Sequence, residues 1–300
     1  MDSFRSLRIR AGLALVVLLG ARLLMAQPGG STSPQHCLWK ITSASNTVYF
    51  LGSIHVLKKE NYPLPAAFEH AFQEAEVVAL ELNPDSLAPA RLQSLLFAKG
   101  RYEEGKTLQS SLAPETYEMA GARLREMGMA IPLFNNFEPW LVAVTITVAK
   151  LQELGLDPNL GIDKHFFEKA KQAKKEVLSF ETVEYQLDRI DGLSAKDQEA
   201  FLLQTLKDWQ VMSEKIDELV LAWSRGDTLA LQATLFESFQ EFPEVYAKLL
   251  TERNRNWLPQ IEGFLKQERD YLIIVGVGHL IGKDSVLQML KARGYQPERL

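Results

Sequence analysis

The sequence predicts an α/β fold whose sheet is formed from N- and C-terminal strands, with a large central helical insertion over about 86–270. Three observations predict it. Short apolar runs at 47–51 and 77–80 flank a stretch of helical periodicity, and a further apolar run at 271–275 closes the chain. Between these ends the helical period dominates. With 300 residues, 46% hydrophobic and 24% charged, the composition is that of a globular chain with a sizeable core, which excludes a disordered tail or a multispanning membrane protein.

The first segment is read apart from the fold. Arg5, Arg8 and Arg10 precede an apolar run over 11–20, and the small Ala26 stands before a Pro-Gly-Gly stretch, the pattern of a secretory signal. Arg22 interrupts a run already shorter than the roughly 20 residues a spanning helix needs, so cleavage and no stable membrane span are expected. This divides the chain into a signal peptide at 1–26, a flexible leader at 27–36 and a single domain at 37–300, with secreted or periplasmic localisation. Loss of the signal would leave 29 basic and 37 acidic residues, a net charge of −8 against −5 for the whole chain. No basic block stands out, so nucleic acid is not an expected partner. Cys37 is the single cysteine and is expected to be a bystander.

Within the domain, Thr47, Val48, Tyr49, Phe50 and Leu51 make a strand that stops at Gly52. Leu64, Ala67, Phe68, Ala71, Phe72 and Ala75 recur at helical spacing after Pro63 and Pro65. Val77, Val78, Ala79 and Leu80 are apolar throughout, as a parallel strand buried on both faces must be, so 47–82 reads as a right-handed strand–helix–strand crossover. Glu138 and Pro139 open a buried apolar helix that runs through Leu154 and stops at Gly155. Ser194 caps an amphipathic helix carrying Phe201, Leu202, Leu206 and Trp209. A single strand is expected at 176–180 inside the helical block, beside a lysine-rich solvated face at 169–175. A helix at 285–290, capped near Gly294, ends the chain.

The chemistry lies in a repeated phrase. Gly52 to His55 and Gly276 to His279 each join an apolar strand to a glycine, two residues and a histidine, the histidines standing 224 positions apart. Ligands of open α/β sheets bind beyond the carboxyl ends of strands, so both imidazoles belong on one rim. Glu81 follows the apolar strand 77–80 directly and reaches the same edge. Two imidazoles and a carboxylate form a divalent-metal shell for which Zn, Mn, Co and Fe are all admissible. The competing reading is that both histidines only cap strands; Glu81 weighs against it, because a carboxylate at the end of a buried strand is costly unless paired.

Arg253 falls on the apolar stripe of Tyr246, Leu249, Leu250, Trp257, Ile261 and Leu265, with Asn254 adjoining it. An arginine there needs an anionic partner: Glu81, the metal shell or a substrate carboxylate. Pro259 is expected to kink or restart this helix. His36 and His70 are expected to be solvated, and Asp163 to be the N-cap of a helix that carries His165, with a reach towards the site as the alternative. No Gly-x-Ser-x-Gly elbow, His-Glu-x-x-His helix or phosphate-cradling loop is present.

These residues resemble the TraB/GumN family, which includes the TIKI Wnt-inactivating proteases. The resemblance is carried by Leu38-Trp-Lys40, the stretch from Val48 to His55 and on to Lys58, Tyr62-Pro-Leu-Pro65, the Glu81 strand, Leu160-Gly-Ile-Asp163, Glu252-Arg-Asn254 with Trp257, and the stretch Gly276 to Gly282. It covers about 37–298. It implies a fold similar to erythromycin-esterase and ChaN-like proteins, and a metallohydrolase-like site with His55, Glu81 and His279 in the metal shell and Glu81, Arg253 and Asn254 in catalytic roles. In TIKI-like members the implied activity is proteolytic with Mn or Co support. The resulting expectation is a metal-dependent hydrolase with Mn, Co or Zn, acting on peptides. Glu81 serves as ligand or as general base, and Arg253 or Asn254 steadies the oxyanion or the peptide terminus. The alternatives are a non-catalytic peptide- or signal-binding protein and a metal-dependent esterase on a small molecule.

Overall fold

A computed structural model describes residues 35–300 apart from 237, 238, 240 and 241, so the expected signal peptide and nearly all of the expected leader lie outside the described residues. Six strands form one mixed sheet: β1 (Leu38–Thr42), β2 (Thr47–Ser53), β3 (Val77–Leu80), β4 (Glu176–Ser179), β5 (Tyr271–Gly276) and β6 (Glu298–Arg299), in the order β4-β3-β5-β2-β1-β6. β2, β3, β4 and β5 run parallel, while β1 pairs antiparallel with both β2 and β6. All four residues of β3 and all six of β5 are buried, the pattern of strands covered on both faces.

β2 and β3 are linked by helix α1 (Ala66–Glu74) and run parallel, as expected, with β5 between them and paired with both. Two expectations need correction. The sheet also takes β4 from inside the helical block, so it does not come from the chain ends alone. His36 is half-buried: its N–H donates to the Leu300 carbonyl at 2.7 Å and its ring meets Phe68 edge-on. His70 is exposed, as expected.

The helical block contains α2 (Pro89–Lys99), α3 (Leu108–Ser111), α4 (Pro114–Glu126), α5 (Pro139–Glu153), α6 (Ile162–Gln172) and α7 (Val183–Asp191). It continues with α8 (Ala195–Asp208), α9 (Met212–Ser224), α10 (Thr228–Phe236), α11 (Pro243–Tyr246) and α12 (Glu252–Phe264), and α13 (Val286–Ala292) comes after β5. Pro139 at the start of α5 and the Ser194 hydroxyl, which accepts from the Asp197 N–H before α8, start these helices where the sequence places them. A π-helical turn, Ala247–Thr251, joins α11 to α12. α12 runs on through Pro259, so the helix does not restart there. No helix among the described residues is long and apolar enough to cross a membrane.

Register places the site. Ser53 of β2 pairs with Gly276 of β5, and Leu80 of β3 with Ile274, so the segments carrying His55, Glu81 and His279 leave the sheet at one rim. Gly52 permits this, because a Cβ there would come within 2.8 Å of Val277 Cγ2 at the turn after β5.

Candidate metal and catalytic site

The rim opens into a cavity of about 620 Å³ lined by His55, Glu81, Asp163, Arg253 and His279 among others. His55 comes just after β2, Glu81 just after β3, and His279 ends a 3-10 turn, Val277–His279, after β5. Arg253 and Asn254 stand in the first turn of α12. Glu81 is the meeting point: its Oε1 lies 3.9 Å from His55 Nε2 and 3.8 Å from His279 Nε2. That oxygen accepts from the Gly276 N–H at 2.6 Å, while Oε2 accepts from Arg253 Nη2 at 2.5 Å and from Gln186 at 3.3 Å. A Cβ on Gly276 would stand 3.1 Å from His55 Nε2 and 3.2 Å from Glu81 Oε1, so glycine keeps open the space that faces both.

The far side of each imidazole is held. His55 Nδ1 stands 2.7 Å from Asp163 Oδ2, and the Ser53 hydroxyl reaches both carboxylate oxygens of Asp163 at 2.9 and 3.0 Å. His279 Nδ1 stands 2.6 Å from Asn254 Oδ1, whose amide nitrogen donates to the Asp284 carbonyl at 2.8 Å. The second bond fixes the Asn254 amide, and both networks assign the ring proton to Nδ1. Nε2 of each ring therefore turns towards Glu81, the arrangement that outer partners impose on metal-ligating histidines.

Electrostatics separates the two rings. Burial would lower the His55 pKa, but the charge and hydrogen bond of Asp163, with Glu81 behind, raise it from 6.5 to about 9. Burial lowers His279 to about 3; Glu81 opposes this, and Arg253, whose Nη1 donates to His279 Nε2 at 3.2 Å, adds to it. Burial would raise Glu81, but Arg253 first, then His279, His55 and the Gly276 N–H, hold it far below the usual carboxylate range. Burial would lower Arg253, yet Glu81 and Glu181 raise it further. Glu181 accepts from Arg253 Nε at 3.0 and 3.1 Å, from Nη2 at 2.8 Å and from Trp257 Nε1 at 2.8 Å.

These donors fit a divalent ion in kind. Two imidazole nitrogens and a carboxylate suit Zn, Mn, Co or Fe, and the open cradle at Gly276 lies between two of them. Asp163, Glu81 and Glu181 set three carboxylates against the guanidinium of Arg253, a balance that favours one more positive charge; the raised pKa of His55 expresses the same demand by holding a proton. The closed shell expected of His55, Glu81 and His279 is nevertheless not preformed. Among the described residues no three His, Cys, Asp or Glu side chains stand as a metal-holding group, and Arg253 Nη1 lies on the His279 nitrogen that would bind.

Four of the sequence-derived residues, His55, Glu81, Arg253 and His279, line this cavity, Asn254 stands behind the His279 ring, and the structure adds others. Asp163 is not the N-cap of α6: Gly161 is, and a Cβ there would collide with the His55 carbonyl oxygen. Asp163 stands in the first turn with its carboxylate on His55. Glu181 and Gln186 were not anticipated. The signal for Glu181 was available, since it comes after β4 much as Glu81 comes after the neighbouring β3, and its N–H donates to the Glu81 carbonyl at 3.0 Å.

Comparison with known proteins adds a lineage to this geometry. The sequence profile of the TraB/PrgY/gumN family matches residues 37–299. The chain is 25% identical to YbaP of Escherichia coli over 243 residues, 81% of this chain and 87% of that protein. It is 22% identical to Metalloprotease TIKI1 of Danio rerio over 306 residues, 83% of this chain and 60% of the relative. A metalloprotease TIKI homolog of Amphimedon queenslandica is 36% identical over 66 residues, 21% of this chain and 12% of that protein. No solved structure matches the chain.

Proposed function

We propose that this chain, which belongs to the TraB/PrgY/gumN family, is an exported metal-dependent hydrolase that cleaves peptides in the cavity at the carboxyl ends of β2, β3 and β5. One observation carries the reading: two histidines from distant, matching motifs turn Nε2 towards the same oxygen of Glu81, with each Nδ1 held from behind. The relatives named metalloproteases support it, and a kinship with erythromycin-esterase and ChaN-like folds belongs to the same reading.

His55, His279 and Glu81 would hold Mn, Co or Zn, and that ion would supply Lewis-acid polarisation of a carbonyl and a bound water of lowered pKa. Asp163 and Asn254 orient the two rings. Arg253 keeps Glu81 ionised, which suits it to ligation better than to accepting a proton near neutral pH. The Arg253 guanidinium also offers N–H donors to oxygen charge developing on the substrate. In the overall reaction the water oxygen bonds to the scissile carbonyl carbon, the C–N bond breaks and the amine leaves with a proton from water.

The test is digestion of a peptide mixture by metal-stripped protein reloaded with Mn, Co or Zn, read by mass spectrometry. Cleavage is expected to disappear in His55→Ala and in His279→Ala while circular dichroism is unchanged. Cleavage that persists in both variants, or in excess chelator, overturns the proposal. The contact between Arg253 Nη1 and His279 Nε2 favours a second reading, a non-catalytic peptide-binding protein. Equal peptide affinity with and without chelator, and no cleavage, would establish it.

A further inference from the structure

We infer that the cavity selects a peptide with a bulky apolar side chain beside the bond to be cut, seated on a wall built by α9 and α10. The inference deepens the hydrolase reading, on which the position of the cut rests, but the selectivity itself is a property of binding. The cavity is two-sided in its chemistry: the groups that ionise at the catalytic floor are His55, Glu81, Arg253 and His279, whereas α9 contributes Ile216, Leu219 and Val220 and α10 contributes Leu235 and Phe236.

The wall reaches the floor. A Cβ on Gly278, beside His279, would lie 3.8 Å from Phe236 and from Leu250 and 3.9 Å from Leu235, so apolar carbon of α10 packs against the turn that carries His279, and both line the same cavity. Val220 and Phe236 stay half-buried although apolar, leaving hydrophobic surface for a ligand to cover. The charged residues elsewhere in the lining are engaged: Asp85 with Lys171 at 2.9 Å, Lys164 with Glu168, and Asp163 with His55. A substrate aspartate or lysine on this wall would lose its water with no compensating partner, while leucine or phenylalanine would gain from burial. The volume of about 620 Å³ is that of a pocket enclosing a compact ligand.

The experiment uses hexapeptides that are alanine except at the third position, which is Leu, Phe, Ser, Asp or Lys. Affinity for metal-stripped protein is measured by calorimetry, and kcat/KM is measured after metal reloading. Leu and Phe peptides are expected to bind about tenfold or more tighter than Ser or Asp peptides, the scale on which apolar pockets discriminate. Val220→Asp should erase that preference. Val220→Thr, which keeps the shape, should weaken it without loss of thermal stability, and it serves if the aspartate variant fails to fold. Equal affinity for all five peptides, a preference for Asp or Lys, or no measurable binding overturns the inference. Preferential binding with no cleavage of any peptide upholds it and overturns the hydrolase reading instead.

Discussion

The two Gly-x-x-His motifs are alike in sequence and opposite in electrostatics. His55 is half-buried and backed by a carboxylate, Asp163, which raises its pKa to about 9; His279 is buried and backed by an amide, Asn254, and its pKa is lowered to about 3. Both rings face Glu81, so the carboxylate they share does not explain the divergence. Burial lowers both rings, and only His55 has a carboxylate, Asp163, behind it to overcome that; Arg253 lowers both and donates directly to His279. A histidine motif therefore specifies where an imidazole sits, and its neighbours decide whether it carries a proton.

Removing Arg253 breaks this contrast most severely. In Arg253→Met, Glu81 and Glu181 remain buried without their cation, at a cost of about 4 kcal/mol in urea denaturation. Its loss also removes a charge that holds the His279 pKa down, so NMR titration should find that pKa above its present value of about 3. Asp163→Asn acts on the other ring: the His55 pKa should fall well below about 9, and metal affinity should drop on the order of 10- to 100-fold, the usual effect of losing an outer partner. Gly276→Ala should leave both pKa contrasts standing and weaken metal binding alone, because its methyl enters the space 3.1 Å from His55 Nε2 and 3.2 Å from Glu81 Oε1.

The pH dependence of metal-free stability is the broadest effect, and the rings tilt it in opposite senses. For His55, raised from 6.5 to about 9, the stabilisation is fully present below pH 6.5 and is lost as pH rises to about 9. His279, lowered from 6.5 to about 3, stays neutral in the folded chain while the unfolded chain takes up a proton, so stability falls as pH drops from 6.5 towards 3. Glu81, held below its ordinary 4.5, adds to the acid slope below that pH. Stability measured by urea denaturation across pH should peak near 6.5, and Asp163→Asn should flatten the alkaline side only.

Legibility from the sequence divides along the same line between local and distant causes. β2, β3 and β5 are continuous apolar runs, and register fixes where the residues beyond their carboxyl ends emerge, so His55, Glu81 and His279 could be placed on one rim. Arg253 was legible as a charge on an apolar stripe, and it does meet Glu81. β1 and β6 escaped: β1 holds a mixed Trp-Lys pattern and β6 has two residues, and each is defined by its partner strand. For Asp163 the cap reading fails and the alternative, a reach towards the site, holds; a helix-start aspartate is an ordinary cap, and the packing of α6 against the His55 loop turns its carboxylate to the ring. Glu181 shows the local signal, a carboxylate just after a strand, but its place at the site also depends on β4 joining the sheet beside β3, which local pattern does not reveal.

The central claim is that both imidazoles serve one ion. Calorimetric titration of metal-stripped protein with Mn, Co and Zn salts, repeated on His55→Ala and His279→Ala, tests it most directly. One ion per chain in the native protein, and loss of that ion in each variant alone, is the predicted result. Native-like binding in either variant would contradict the claim.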